Sequence, residues 1–261
     1  MPPDADALIA AATAAIDAAG TVIRPFFRAG LVADLKSDAS PVTQADRQAE
    51  QAMRRQLAEH FPEHGILGEE FGLERPQSPY RWVLDPIDGT RAFITGRPVF
   101  GSLIALLHHD KPILGIIDQP VTGERWIGAA GRPTTFRGPF GGAPGTRLCK
   151  ALAEAELSCT SPDVFGAADL PRWDRLRQAS RRTSFGGDCY AYGLLALGQI
   201  DVIAEATMNL WDWAALVPVI EGAGGRLTDW HGAPLTPESD GHTLAVGDPS
   251  LLASAVALLT G

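Results

Sequence analysis

Trp82-Val83-Leu84-Asp85-Pro86-Ile87-Asp88-Gly89-Thr90 is an apolar strand pattern that runs into two carboxylates, two turn-forming residues and a hydroxyl. Strand ends, and the loops that leave them, are where a rigid scaffold presents chemistry. Upstream, the apolar pair Ile66-Leu67 leads into Gly68-Glu69-Glu70, and far downstream Trp211-Asp212-Trp213-Ala214-Ala215 sets one acid in an apolar run. Acids this far apart in sequence meet only through the tertiary fold. Once gathered they repel and raise one another's pKa unless a cation sits among them. All-oxygen ligands favour hard divalent ions, and Mg²⁺ in particular is held by a few carboxylates, water and a substrate's phosphate. The pattern points to metal-assisted phosphoryl chemistry.

The 261 residues suffice for a sizeable core, as one unit with two lobes or as two domains. With 31 acidic against 22 basic residues the net charge is −9, which repels a phosphate backbone and argues against nucleic acid as partner. The Ala-rich N-terminus carries Asp4, Asp6 and Asp17 before its first basic residue, Arg24, the wrong charge order for export. The longest apolar run, near Val99 to Leu107, falls short of the roughly 18 to 20 residues that cross a bilayer. A soluble cytoplasmic protein without membrane contact is expected. Cys149, Cys159 and Cys189 form neither a disulfide framework nor a zinc pattern and read as free buried thiols. His60 and His64 are separated by Pro62 and should not share a helical face, while His108-His109-Asp110 reads as a hairpin turn.

Apolar periodicity predicts a helix from about Asp4 to Arg28, broken by Pro25, and a second from Thr43 to about His60. Strands are expected at Leu31 to Leu35, Ile66-Leu67, Arg81 to Leu84, Val99 to Leu107, Pro112 to Gln119 and Glu124 to Ala129. The Gly- and Pro-dense segment Gly131 to Gly145 suggests a boundary between an α+β lobe, residues 1–145, and an α/β lobe, residues 146–261. In the second lobe, strands at Glu156 to Thr160 and Asp201 to Ala204 alternate with helices at Trp173 to Arg182, Tyr190 to Gly198 and Trp213 to Ala223. Gly222-x-Gly224-Gly225 follows a helix and lacks dinucleotide-loop spacing, so it reads as a helix-ending turn.

Together, Gly68-Glu69-Glu70, Asp85-Pro86-Ile87-Asp88-Gly89-Thr90 and Trp211-Asp212-x-Ala214-Ala215 resemble the signature motifs of the inositol monophosphatase superfamily. The resemblance runs in motif order from Lys36 to the Gly225 turn and implies an αβαβα layered sandwich with its metal site between the lobes. It further implies a phosphomonoester hydrolase that uses two or three Mg²⁺ ions, or Mn²⁺, and commonly forms a homodimer. The metal ligands carried over are Glu69, Asp85, the Ile87 carbonyl, Asp88 and Asp212; Asp46 and Thr90 would orient the attacking water. Lys36, Gly89 and Thr90 fall to the substrate's side, with the Gly89 and Thr90 amides cradling phosphate. Each residue also has a plainer reading. Asp-Pro and Asp-Gly are ordinary turns, Asp212 suits a helix start, and Thr43-x-x-Asp46 fits a capping box.

Substrate choice is assigned to Gly187, Asp188 and Glu205. Glu205 matches the position that receives hydroxyls in polyol phosphatases, whereas Asp188 stands where those enzymes usually have a small neutral residue. Two acids across a pocket suit an organic cation, and histidinol phosphate carries an ammonium and an imidazole opposite its phosphate. The Gly186-Gly187-Asp188-Cys189-Tyr190 run also resembles the histidinol-phosphate phosphatase branch, which serves histidine biosynthesis. The alternatives are an inositol or broad sugar phosphatase, or a non-catalytic metal-binding protein, and for Asp188 a simple helix cap.

Overall fold

Residues 4–29, 34–35, 41–42 and 44–261 are described by a computed structural model; Lys36 and Thr43 lie outside the described residues. Helix α1 (Ala5–Ile23) starts at an Asp4 cap, whose carboxylate accepts from the Asp6 amide, and stops where Pro25 enters a 3₁₀ turn. Its buried stripe of Leu8, Ala12, Ile16, Ala19 and Ile23 shares a core with Ala45, Ala49, Met53 and Leu57 of α2 (Gln44–His60). The helical segment Ala5–Phe26 is long and apolar enough to cross a bilayer by length and composition, which corrects the expectation that no segment is. Its apolar face is spent on α2 and on the sheet beneath.

Short strands β1 (Asp34–Leu35) and β2 (Pro41–Val42) pair with each other. The main sheet follows: β3 (Gly65–Gly68), β4 (Gly72–Glu74), β5 (Tyr80–Asp88), β6 (Gly101–His108), β7 (Lys111–Gln119), β8 (Glu124–Ala129) and β9 (Thr135–Arg137), in the order β4-β3-β5-β6-β7-β8-β9. Its central strands are buried on both faces, which is why β6 is apolar almost throughout rather than alternating. The β6–β7 turn places His109 and Asp110 at φ 48° and 60°, the two left-handed residues of a tight hairpin.

Helices α3 (Thr90–Ile94) and α4 (Leu170–Ala179) precede α5 (Asp188–Leu195), α6 (Leu210–Trp213), α7 (Leu216–Gly222) and α8 (Leu252–Thr260). The second sheet contains β10 (Glu156–Cys159), β11 (Arg182–Phe185), β12 (Val202–Glu205), β13 (Arg226–Thr228) and β14 (Thr243–Val246), ordered β11-β10-β12-β14-β13. One core joins the inner face of the main sheet, through Leu103, Ala105 and Trp126, to Tyr192 of α5, Val219 of α7 and Ile203 of β12. Another packs Trp173 of α4 and Leu259 of α8 on the outer face of the second sheet. The layers therefore run helix, sheet, helix, sheet, helix, the αβαβα sandwich expected. The helix predicted from Trp213 to Ala223 is α7, and Trp213 itself ends the separate short helix α6. The one predicted to reach Arg182 ends at Ala179, because Arg182 to Phe185 pairs with β10 as an edge strand.

Candidate metal centre and substrate pocket

Asp85 and Asp88 are three residues apart, an odd spacing that would put them on opposite faces of a regular strand. Against β6, however, Asp85 pairs with Leu103 and Asp88 with Gly101, three steps on one strand facing two on the other. This β-bulge lets both acids serve one site. Pro86, which has no N–H to leave unpaired, sits in it, and the buried Ser102 hydroxyl donates to the Pro86 carbonyl at 2.6 Å. Gly89 then turns the chain at φ 86°, and Thr90 opens α3 with its Oγ1 donating to the Ile87 carbonyl at 3.1 Å.

Asp212 arrives from α6, where its carboxylate accepts from the Asn209 amide at 2.6 Å in a capping box. Cap and ligand readings coexist, since one oxygen each of Asp85, Asp88 and Asp212 still lie within 4.8 Å of one another. Burial, then Glu69, Asp88, Asp212 and Asp46, push the Asp85 carboxyl well up. Burial and the neighbouring Asp188 and Asp212 do the same to Asp88, against the Cys189 amide that donates to its Oδ2 at 2.5 Å. Asp212 is pushed up to about 7, by burial first. Among the described residues, the buried Oδ1 of Asp85 has no hydrogen-bond donor. A hard divalent cation would relieve the repulsion and occupy that oxygen, so the donor set fits one.

Glu69 follows β3, and its amide donates to the Leu84 carbonyl at 3.2 Å, which seats it beside β5; its charge acts on both Asp85 and Asp212. Glu70 instead turns its carboxylate toward Arg47 at 3.6 Å. Asp46 is buried on the first turn of α2, near enough to raise Asp85.

A cavity of about 170 Å³ adjoins the acids, with Asp88, Asp188, Tyr192, Glu205 and Asp212 among its walls. Asp188 is the first residue of α5 and is held at φ 43°, a left-handed conformation, after Gly186 and Gly187. It stands in the first turn of α5, one position inside the N-cap. Its carboxylate lies over Gly89, where a Cβ would stand 2.7 Å from Oδ2. Burial raises its pKa to about 6, against Arg97 and Arg91. Glu205, at the end of β12, is buried and raised to about 8 although the Thr160 amide donates to it at 2.5 Å. Gly187 precedes α5 as its N-cap.

Several contributors escape motif reading. The Cys189 amide is a backbone group, invisible in side-chain patterns. Ser102 carried a signal, a lone hydroxyl in an apolar strand. Glu50 and Arg54 read as charges on a polar helix but are buried beneath the Gly68-Glu69-Glu70 turn.

The inositol monophosphatase family profile matches residues 4–259. "Bifunctional phosphatase IMPL2, chloroplastic" of Arabidopsis thaliana is 48% identical over 229 residues, 87% of this chain and 65% of that protein, so the chain spans less than two thirds of it. A histidinol-phosphatase of Mycobacterium tuberculosis is 39% identical over 203 residues, covering 76% of this chain and 78% of its own. The structure of an inositol monophosphatase from Zymomonas mobilis superposes with a TM-score of 0.89 at 48% identity, over 98% of this chain and 99% of that one. Motifs, layered fold, acid cluster and relatives agree: the chain belongs to the inositol monophosphatase family of metal-dependent phosphatases.

Proposed function

We propose that the chain hydrolyses L-histidinol phosphate to L-histidinol and phosphate. The observation that carries this reading is one cavity whose walls hold Asp188 and Glu205 together with Asp88 and Asp212. A phosphate ester of a cationic alcohol would lie across it, phosphate toward the metal ligands and its ammonium and imidazole toward Asp188 and Glu205. Three relatives named histidinol-phosphatase, 34 to 39% identical to this chain, support the reading. An inositol phosphate is the second reading, favoured by the name of the Zymomonas mobilis structure and by Glu205 as a hydroxyl acceptor.

Glu69, Asp85, the Ile87 carbonyl, Asp88 and Asp212 would hold Mg²⁺ or Mn²⁺, which when bound supplies Lewis-acid polarisation of the phosphoryl group and acidifies water. The Thr90 hydroxyl donates a hydrogen bond to the Ile87 carbonyl, which leaves its lone pairs to accept from an incoming water; Asp46 would complete that water's orientation. Backbone amides at Gly89 and Thr90 contact phosphate oxygens, and Asp188 and Glu205 fix the alcohol portion.

The test is phosphate release by the purified protein from a panel that includes histidinol phosphate and inositol phosphates, with Asp85→Asn as control. Mg²⁺-dependent release led by histidinol phosphate is expected. Asp188→Asn should lower kcat/KM for histidinol phosphate about tenfold more than for inositol phosphate, the worth of one charge-assisted contact. Equal losses on both substrates would remove the selectivity argument, and release that persists in a chelator would remove the metal.

A further inference from the structure

Helix α2 carries Asp46, Glu50 and Arg54 at four-residue spacing, hence on one face. The Glu50 side chain is fully buried and that of Arg54 only 10% exposed. One oxygen of Glu50 accepts from the Glu70 amide at 2.7 Å, and the other from the Phe71 amide at 3.3 Å and Arg54 Nε at 2.7 Å. The remaining Arg54 nitrogens reach the Gly72 carbonyl at 2.6 Å and Glu74 at 2.8 Å. A Cβ at Gly68 would stand 1.9 Å from Glu50 Oε1, so the first residue of the Gly68-Glu69-Glu70 motif is glycine because a carboxylate fills its side-chain space. The turn is thus moulded around one buried ion pair, with Glu69 held in its middle.

Such a pair is a weak source of stability, because desolvating two charges offsets most of their attraction. What it supplies here is geometry: two adjacent amides that point out of a turn need one strong acceptor, and a carboxylate provides it. Arg54 cancels the charge, so the anionic site gains a fixed Glu69 without another net negative charge beside it.

We infer that Glu50, matched by Arg54, is a positioning residue that holds Glu69 toward Asp85 and Asp212 and thereby sets the affinity for the divalent cation. This rests on the proposed reading of Glu69 as a metal ligand. Calorimetric titration of metal-stripped full-length protein with Mn²⁺, together with Mg²⁺ activation curves, tests both in wild type, Glu50→Gln, Arg54→Lys and Glu69→Gln. Glu50→Gln should weaken Mn²⁺ binding by about 10- to 100-fold and raise the half-activating Mg²⁺ to match, with kcat at saturating Mg²⁺ within about threefold of wild type. Arg54→Lys keeps the charge but loses the planar fork, and should weaken Mn²⁺ binding in the same direction by less. If Glu69→Gln weakens Mn²⁺ binding while Glu50→Gln and Arg54→Lys bind as wild type, the positioning role is overturned and the ligand reading stands. If Glu69→Gln binds as wild type, the ligand reading itself fails. Should Glu50→Gln not fold, Arg54→Lys decides, and unchanged Mn²⁺ affinity in it overturns the inference.

Discussion

Asp85 is a buried carboxyl whose burial and four acidic neighbours all favour its neutral form, so in metal-free protein its charge opposes folding. Asp85→Asn should therefore cut phosphatase activity by about 10³ or more, yet melt above wild type in chelator, by about 2–4 °C for each kcal/mol of repulsion relieved. Scanning calorimetry with and without Mg²⁺ checks this, because Mg²⁺ should restore the lead to wild type. A variant that melts lower in chelator would show that Asp85 is stabilised by something other than a cation. Gly89 makes a second case. Its φ of 86° costs a side chain about 1–2 kcal/mol, and a Cβ there also meets Asp188 Oδ2 at 2.7 Å. Gly89→Ala should lose more stability than the backbone cost alone, and in an Asp188→Gly background the loss should shrink toward that figure. A loss equal in both backgrounds would mean that the two residues do not press on each other.

The bulge in β5 turns an ordinary strand into a presenter of two acids, and its freed Pro86 carbonyl is satisfied by Ser102 from β6. Ser102→Ala should cost about 1–3 kcal/mol, the penalty of a buried acceptor left without a donor, and lower kcat/KM as the spacing of Asp85 and Asp88 relaxes. Chemical denaturation beside steady-state kinetics reads both; a stable variant with full activity would show that the bulge holds itself. A pH-dependent tie binds the start of α4, where His242 lies 3.0 Å from Asp169 and 2.8 Å from Asp240. Burial pulls the His242 pKa down, but the bonds to Asp240 and Asp169 outweigh it and the net shift is upward. Folding therefore favours the protonated ring. The contribution is complete below the unfolded value of about 6.5 and vanishes as pH rises through the higher folded value. Wild type should exceed His242→Gln in melting temperature near pH 6 by a margin that disappears in mild alkali, and a pH-independent margin would sink the linkage. Elements with strong patterns were legible in the sequence: α1, α2, β8 and the β6–β7 hairpin. β11, β13 and β14 were not; Arg182 to Phe185 and Arg226 to Thr228 hold one apolar residue each, so β11 and β13 carry no apolar run of the kind that marked the equally short β12.

Across the layers, the site draws Asp85 and Asp88 from the main sheet, Asp212 from α6, and Asp188 and Glu205 from α5 and the second sheet. Its acids could be named from the sequence only as a set of motifs, since each alone also reads as a turn or a helix start. Its supports could not, because the Cys189 amide, Ser102 and Glu50 gain meaning only when segments 16 to 101 residues away fold against them. The Cys189 amide is the direct tie between the two sheets' contributions, since α5 donates it to Asp88 at 2.5 Å. A cation that draws Asp85, Asp88 and Asp212 together should then steady α5 and α6 as well as β5, and binding to the folded state alone adds about 2.7 kcal/mol at a hundredfold excess over Kd. Hydrogen exchange with and without Mg²⁺ should show added protection at residues 85–90, 188–190 and 209–213 together. In Asp88→Asn, which breaks the shared oxygen set, the response at 188–190 should fall away first. Protection confined to 85–90 in the wild type would mean that the cation is held by the β5 end alone and that substrate pocket and metal centre are not mechanically joined.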